Sequence, residues 1–141
     1  MSDWSFRHSV VARVEPEEAW AFWTTVSNWR LDSSLEHVQL DGPFAVGSRG
    51  VSKPRGSGPL TWLIREVGLR TAVIQMELPG AEVLFSWSFV AAGGGGTQIT
   101  QQVTISGERM ADYVGLADSQ LAPGIPEGMK KLAEAVEGQA R

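Results

Sequence analysis

The chain has 141 residues, 43% of them hydrophobic and 20% charged, with a net charge of −4 and an isoelectric point near 5.1. That length fits one domain, 1–141, which buries roughly 68% of its unfolded surface and can build a core without staples. The acidic balance argues against nucleic acid as a partner and leaves no polybasic membrane patch, and the lack of cysteine excludes disulfides, thiol nucleophiles and Cys-based metal sites.

Met1 to Phe6 shows no basic start running into an apolar stretch, and no run approaches about 18 apolar residues. The expectation is a cytoplasmic protein with no membrane span. Trp4 to Val14 alternates: Trp4, Phe6, His8, Val10, Ala12 and Val14 share one face, and Ser5, Arg7, Ser9 and Arg13 the other, interrupted by Val11. This predicts a half-buried strand. Pro16, Glu17 and Glu18 then open a helix, since Pro suits the first turn and early acids complement the dipole. Ala19, Trp20, Phe22, Trp23 and Val26 give it an apolar stripe, and it ends near Ser27–Asn28. Trp29 to Ser34 reads as a second short helical turn.

Strands are predicted at Leu35–Leu40, Val46–Lys53, Leu60–Val67, Thr71–Leu78, Glu82–Ala91 and Thr97–Gly107. Turn compositions separate them: Asp41-Gly42-Pro43, the Pro54–Pro59 segment PRGSGP, Gly68, and Pro79-Gly80. Gly93 to Gly96 reads as a hairpin tip. A phosphate cradle would open a helix and carry Lys-Ser or Lys-Thr, and this run opens a strand. The last segment is helical in two parts, Met110–Leu121 and Glu127–Gln139, interrupted by Pro123, Gly124 and Pro126. Consecutive strands with short connections imply an antiparallel meander, and one apolar helix must cover its inner face.

This order resembles the START-like, birch-pollen-allergen-like helix-grip superfamily, including its polyketide cyclase/dehydrase and lipid-transport group. The residues that carry the likeness are VEPEEAWAFWTTVSNW (Val14 to Trp29), HVQLDGPFAVGSRG (His37 to Gly50), the paired strands around the glycine tip, and PEGMKKLAEAVEGQAR (Pro126 to Arg141). The resemblance implies an α+β fold: a curved antiparallel sheet of about six or seven strands around a long C-terminal helix, with one or two short helices after the first strand. It also implies an apolar cavity between sheet and helix. The interrupted closing helix departs from the pattern. It implies either a wider or mobile mouth, or a local kink.

Inward polar residues are informative, because a polar group facing an apolar interior needs a partner or a ligand. His8 is in phase with Phe6 and Val10, where it can serve as acid or base, or bond a ligand carbonyl. It can equally be a satisfied core histidine. Gln101 is in phase with Ile99 and Val103 and can orient a ligand without titrating. The predicted ligand-facing set is Phe6 and His8, Trp62, Ile74 and Met76, Phe85 and Trp87, Gln101 and Val103, then Tyr113, Met129 and Leu132 from the closing segment. Periodicity leaves open whether Trp62 and Trp87 wall an open pocket or fill a core, and whether Tyr113 points inward or to the surface.

No cofactor or metal is expected: His8 and His37 lie on different strands without acids at ligand spacing. The leading function is binding of a hydrophobic small molecule, whether lipid, polyketide-like or aromatic, by a monomer or homodimer. One alternative is a cyclase or dehydrase using His8 as the catalytic acid/base. Another is a protein-interaction or chaperone-cofactor module.

Overall fold

The computed structural model describes residues 4–29, 35–56 and 58–139. Seven strands form one curved antiparallel sheet: β1 (Trp4–Ala12), β2 (Leu35–Asp41), β3 (Arg49–Pro54), β4 (Leu60–Gly68), β5 (Thr71–Leu78), β6 (Ala81–Ala92) and β7 (Gly96–Ser106). Their spatial order is β1-β7-β6-β5-β4-β3-β2. The run from β2 to β7 is thus a meander, and β1 closes on β7 at the far edge. Helix α1 (Pro16–Thr24) and a 3-10 turn (Val26–Trp29) follow β1. The chain closes with α2 (Ala111–Leu116), a π-helical turn (Ala117–Leu121) and α3 (Ala122–Gln139).

Strand alternation builds the inner face. Phe6, His8 and Val10 stand opposite Val103, Gln101 and Ile99. Those in turn face Phe85, Trp87 and Phe89. Residues opposite one another in an antiparallel ladder share a face, so these nine side chains form one concave surface. Ile64, Ile99 and Val103 are fully buried there. Thr97, also buried, satisfies its hydroxyl by donating to the Val14 carbonyl at 2.7 Å.

Two helices cover that surface unevenly. In α1, Pro16 sits in the first turn, and Ala19 and Trp23 are buried. In α3, the stripe Ile125, Met129, Leu132, Ala133 and Val136 is buried at helical spacing. Helix α3 packs mainly against β1 and touches α1. The Arg13 backbone N–H donates to Glu137 at 2.8 Å and ties β1's exit to this helix. The β1 side of the sheet is therefore covered, and the β2–β3 side is not gripped in the same way.

The closing helix differs from its sequence expectation. Pro123, Gly124 and Pro126 lie inside α3 and do not interrupt it. The adjustment occurs upstream. The Ala122 N–H bonds the Ala117 carbonyl, five residues back, as the last bond of the π turn. That wider turn precedes Pro123, whose ring has no N–H and would crowd the carbonyl four residues back in an ordinary helix. Of the short helical turn expected at Trp29–Ser34, only Trp29 falls among the described residues. It ends the 3-10 turn instead of starting a new one. Ser57, within the PRGSGP turn, also lies outside the described residues.

Candidate ligand cavity

The site begins with aromatic residues that the sequence spreads over four elements. Trp23 of α1 meets Trp87 of β6 at a centroid separation of 5.0 Å and Trp29 at 5.5 Å. Trp29 meets Trp62 of β4 at 5.1 Å. The four indoles thus form a continuous chain across the fold. Phe44, Phe89 and Trp20 surround Trp23 on its remaining sides. Contacts of this kind add about 0.5–1.5 kcal/mol per pair beyond area burial.

Two details hold the chain of rings in place. The Trp29 indole N–H donates to the Trp23 carbonyl at 2.6 Å, and the Trp62 indole N–H donates to the Ser52 hydroxyl at 2.9 Å. Gly50 makes room for the second. It stands opposite Trp62 in the ladder, and a Cβ there would lie 2.2 Å from the Trp62 ring.

The indoles wall a cavity of about 270 Å3 between the sheet, the end of α1 and α3. Its lining is Trp23, Trp29, Ser52, Trp62, Ile74, Met76, Phe85, Trp87, Gln101, Gly128 and Leu132. None of these side chains titrates. The Ser52 hydroxyl is engaged by Trp62. Gln101 is 8% exposed as a residue, its carboxamide keeps accessible surface on the cavity, and it has no side-chain hydrogen bond to any described residue. A larger hollow of about 500 Å3 lies between α1 and the end of α3, but polar Glu18, Thr25, Asn28 and Gln139 line it. It offers no comparable apolar surface.

Of the twelve residues predicted to face a ligand, the structure brings seven together on this wall: Trp62, Ile74, Met76, Phe85, Trp87, Gln101 and Leu132. Five lie elsewhere. His8 shares the concave face and stands directly opposite Gln101, but it is on β1, the strand that α3 packs against, and it does not line the cavity. Phe6 stacks with Trp4 on the same strand. Val103 and Met129 are core residues, at most 1% exposed. The Tyr113 hydroxyl donates to the Pro79 carbonyl at 2.8 Å, so it anchors α2 to the β5–β6 turn and does not point inward.

Sequence reasoning missed Trp23, Trp29, Ser52 and Gly128. Ser52 was within reach, because strand phase puts it on the Gly50 face of β3. Gly128 was too: it precedes Leu132 by four residues and so shares its face of α3. Electrostatics add nothing at the cavity. Among the described residues, the carboxyl held below its usual range is that of exposed Glu36, where the Lys53 ammonium hydrogen-bonds and attracts it.

Comparison with known proteins agrees with this architecture. A family model described as polyketide cyclase / dehydrase and lipid transport matches residues 3–137. No curated protein sequence matches the chain. Among solved structures, norcoclaurine synthase from Thalictrum flavum superposes with a TM-score of 0.76 at 12% identity, covering 96% of this chain and 87% of that one. Ara h 8.0201 gives 0.72 at 16% identity, with 96% and 98% covered. The di-domain ARO/CYC BexL of the BE-7585A biosynthetic pathway gives 0.77 at 13% identity, with 96% of this chain and 50% of that one covered. Identities this low establish a common fold and carry no activity with them.

Proposed function

This chain belongs to the polyketide cyclase / dehydrase and lipid transport family, and on that premise we propose that it binds a small hydrophobic molecule in the cavity between the sheet and α3. One observation carries the reading: four indoles and four aliphatic or phenyl side chains wall a space of about 270 Å3 in which no described side chain titrates. Burial is the mechanism. An aromatic ligand comparable to a large side chain removes about 150–250 Å2 from water. At about 25 cal/mol per Å2 that is a gross gain of roughly 4–6 kcal/mol, from which the cost of association is subtracted. The affinity expected for an unoptimised probe is therefore weak, no tighter than roughly 40 μM and moving toward millimolar once that cost is subtracted.

An enzyme using His8 gains no support from this arrangement, since His8 is off the cavity wall. The test uses naphthalene as the probe and intrinsic tryptophan fluorescence as the signal. Saturable quenching is expected from the native chain. Gly128→Leu is the blocking variant. A Cβ at Gly128 meets no atom within 4 Å, so the new side chain has space to grow at the cavity wall. Leu also favours the helix over Gly, so the variant should melt no lower than the native chain. Its naphthalene affinity should fall at least tenfold. Absence of saturable quenching in the native chain, or unchanged affinity in Gly128→Leu, would count against the cavity as a binding site.

A further inference from the structure

The polar composition of the cavity narrows the ligand beyond hydrophobicity. Gln101 is buried to more than nine-tenths, lines the cavity, and has no side-chain partner among the described residues. A carboxamide carries an acceptor oxygen and two N–H donors on one planar group. Its amide atoms keep accessible surface, so they face the open space of the cavity and are free to bond what enters it. The remaining described lining is apolar or aromatic apart from Ser52, whose hydroxyl oxygen accepts from Trp62 and keeps its own O–H to donate. Trp87 stands directly beside Gln101 in the ladder, so a flat ring lying along Trp87 brings its own polar edge to the carboxamide.

Two further features set charge and size. Among the described residues no cationic or anionic side chain lines the cavity, so an ionised ligand would lose water there without a counter-charge from them. A cavity of about 150 Å3 accommodates one benzene ring. The volume here, about 270 Å3, holds roughly two fused rings, and the cavity is open on one side, so a larger ligand would project outward.

We propose that the ligand is an uncharged two-ring aromatic bearing an adjacent hydrogen-bond donor and acceptor, as in a lactam, paired face to face with the Gln101 carboxamide. This rests on the reading of the cavity as a ligand site. Two parallel hydrogen bonds form, one in each direction, and the ring system takes up the indole wall. Gln101 is the specificity residue, and the indoles provide non-selective attraction.

Titration of the native chain with a matched set separates the possibilities. Carbostyril, a two-ring lactam, is expected to bind at least tenfold more tightly than naphthalene and than N-methylcarbostyril, which lacks the donor. It should also exceed naphthoate and N-methylquinolinium by at least as much. Gln101→Met keeps the side-chain volume close and removes the amide. It should erase the lactam preference, so that carbostyril and naphthalene bind the variant alike. If naphthalene binds as tightly as carbostyril, or either ion does, or Gln101→Met keeps the preference, the lactam assignment is overturned while the cavity reading stands. If neither carbostyril nor naphthalene saturates, both fall together. The ligand series on the native chain decides the matter even if Gln101→Met does not fold.

Discussion

Trp23→Ala is expected to lower the stability of the fold by about 3–5 kcal/mol, the range for removing a large aromatic side chain from a packed core. Trp23 is 3% exposed and its ring meets five others: Trp20, Trp29, Phe44, Trp87 and Phe89, all with centroids 5.0 to 5.7 Å away. It is the point at which α1, the 3-10 turn and β6 meet. Neighbouring rings are held by their own backbones and cannot collapse fully into the space, so the cavity cost adds to the transfer cost. Total stability for a domain of this kind is about 5–15 kcal/mol, so the loss is a large share of it. The melting temperature should fall by roughly 10 °C or more. Urea unfolding followed by far-ultraviolet circular dichroism measures it directly. Trp4→Ala is the internal contrast, because Trp4 is half-buried, stacks on Phe6 and donates its indole N–H to Asp118 at 2.8 Å, with no further described ring against it. A Trp23→Ala loss no greater than that of Trp4→Ala would show that the chain of rings is not a core.

Gly50→Ala is expected to damage both stability and binding. The added methyl would lie 2.2 to 2.3 Å from two carbons of the Trp62 ring, closer than any real contact. Trp62 is 4% exposed and has little room to retreat. Overpacking of this kind costs about 1–3 kcal/mol. Here the ring that must move also forms the cavity wall and bonds Ser52. Naphthalene affinity should therefore drop at least tenfold in a variant that still folds. The mechanism has a distinctive signature. In a Trp62→Leu background the same Gly50→Ala change meets a smaller neighbour, and its stability cost should largely vanish. A double-mutant cycle reads that as a coupling energy of at least about 1 kcal/mol. Additive effects of the two substitutions would mean that the close approach of Gly50 and Trp62 does not govern this edge of the sheet.

Much of the architecture was legible, because period-two alternation and turn residues are local signals. Phe85, Trp87 and Phe89 alternate on β6, and Ile99, Gln101 and Val103 on β7, where strand phase puts them. The same phase placed His8 correctly on the inner face. It could not say which strip of that face α3 would cover. That depends on where the helix lands, and α3 lands on β1. The sequence therefore read His8 as a cavity residue when its strand sits under the helix. Trp23 was read as part of an apolar stripe on α1, without a partner, since only the closed fold brings α1 against β6. The Pro-rich segment misled for a different reason. Proline's local veto on helix is real, but a π turn just ahead of Pro123 absorbs it, and the helix resumes. The unpartnered state of Gln101 was likewise invisible, because lack of a partner is a property of everything around a residue.

The uneven seating of α3 has a dynamic consequence. Amide protons exchange through local opening, and segments with little packed against them open at lowest cost. Strand β7 is held between β1 and β6 with α3 over the β1 edge, whereas β2 is an edge strand paired to β3 alone. Exchange should therefore be slowest in β6 and β7 and fastest along β2 and β3. Ser52 and Trp62 lie on that loose side. The cavity, already open to solvent on one side, thus borders the part of the sheet that breathes first, so its mouth can widen without the closing helix having to swing away.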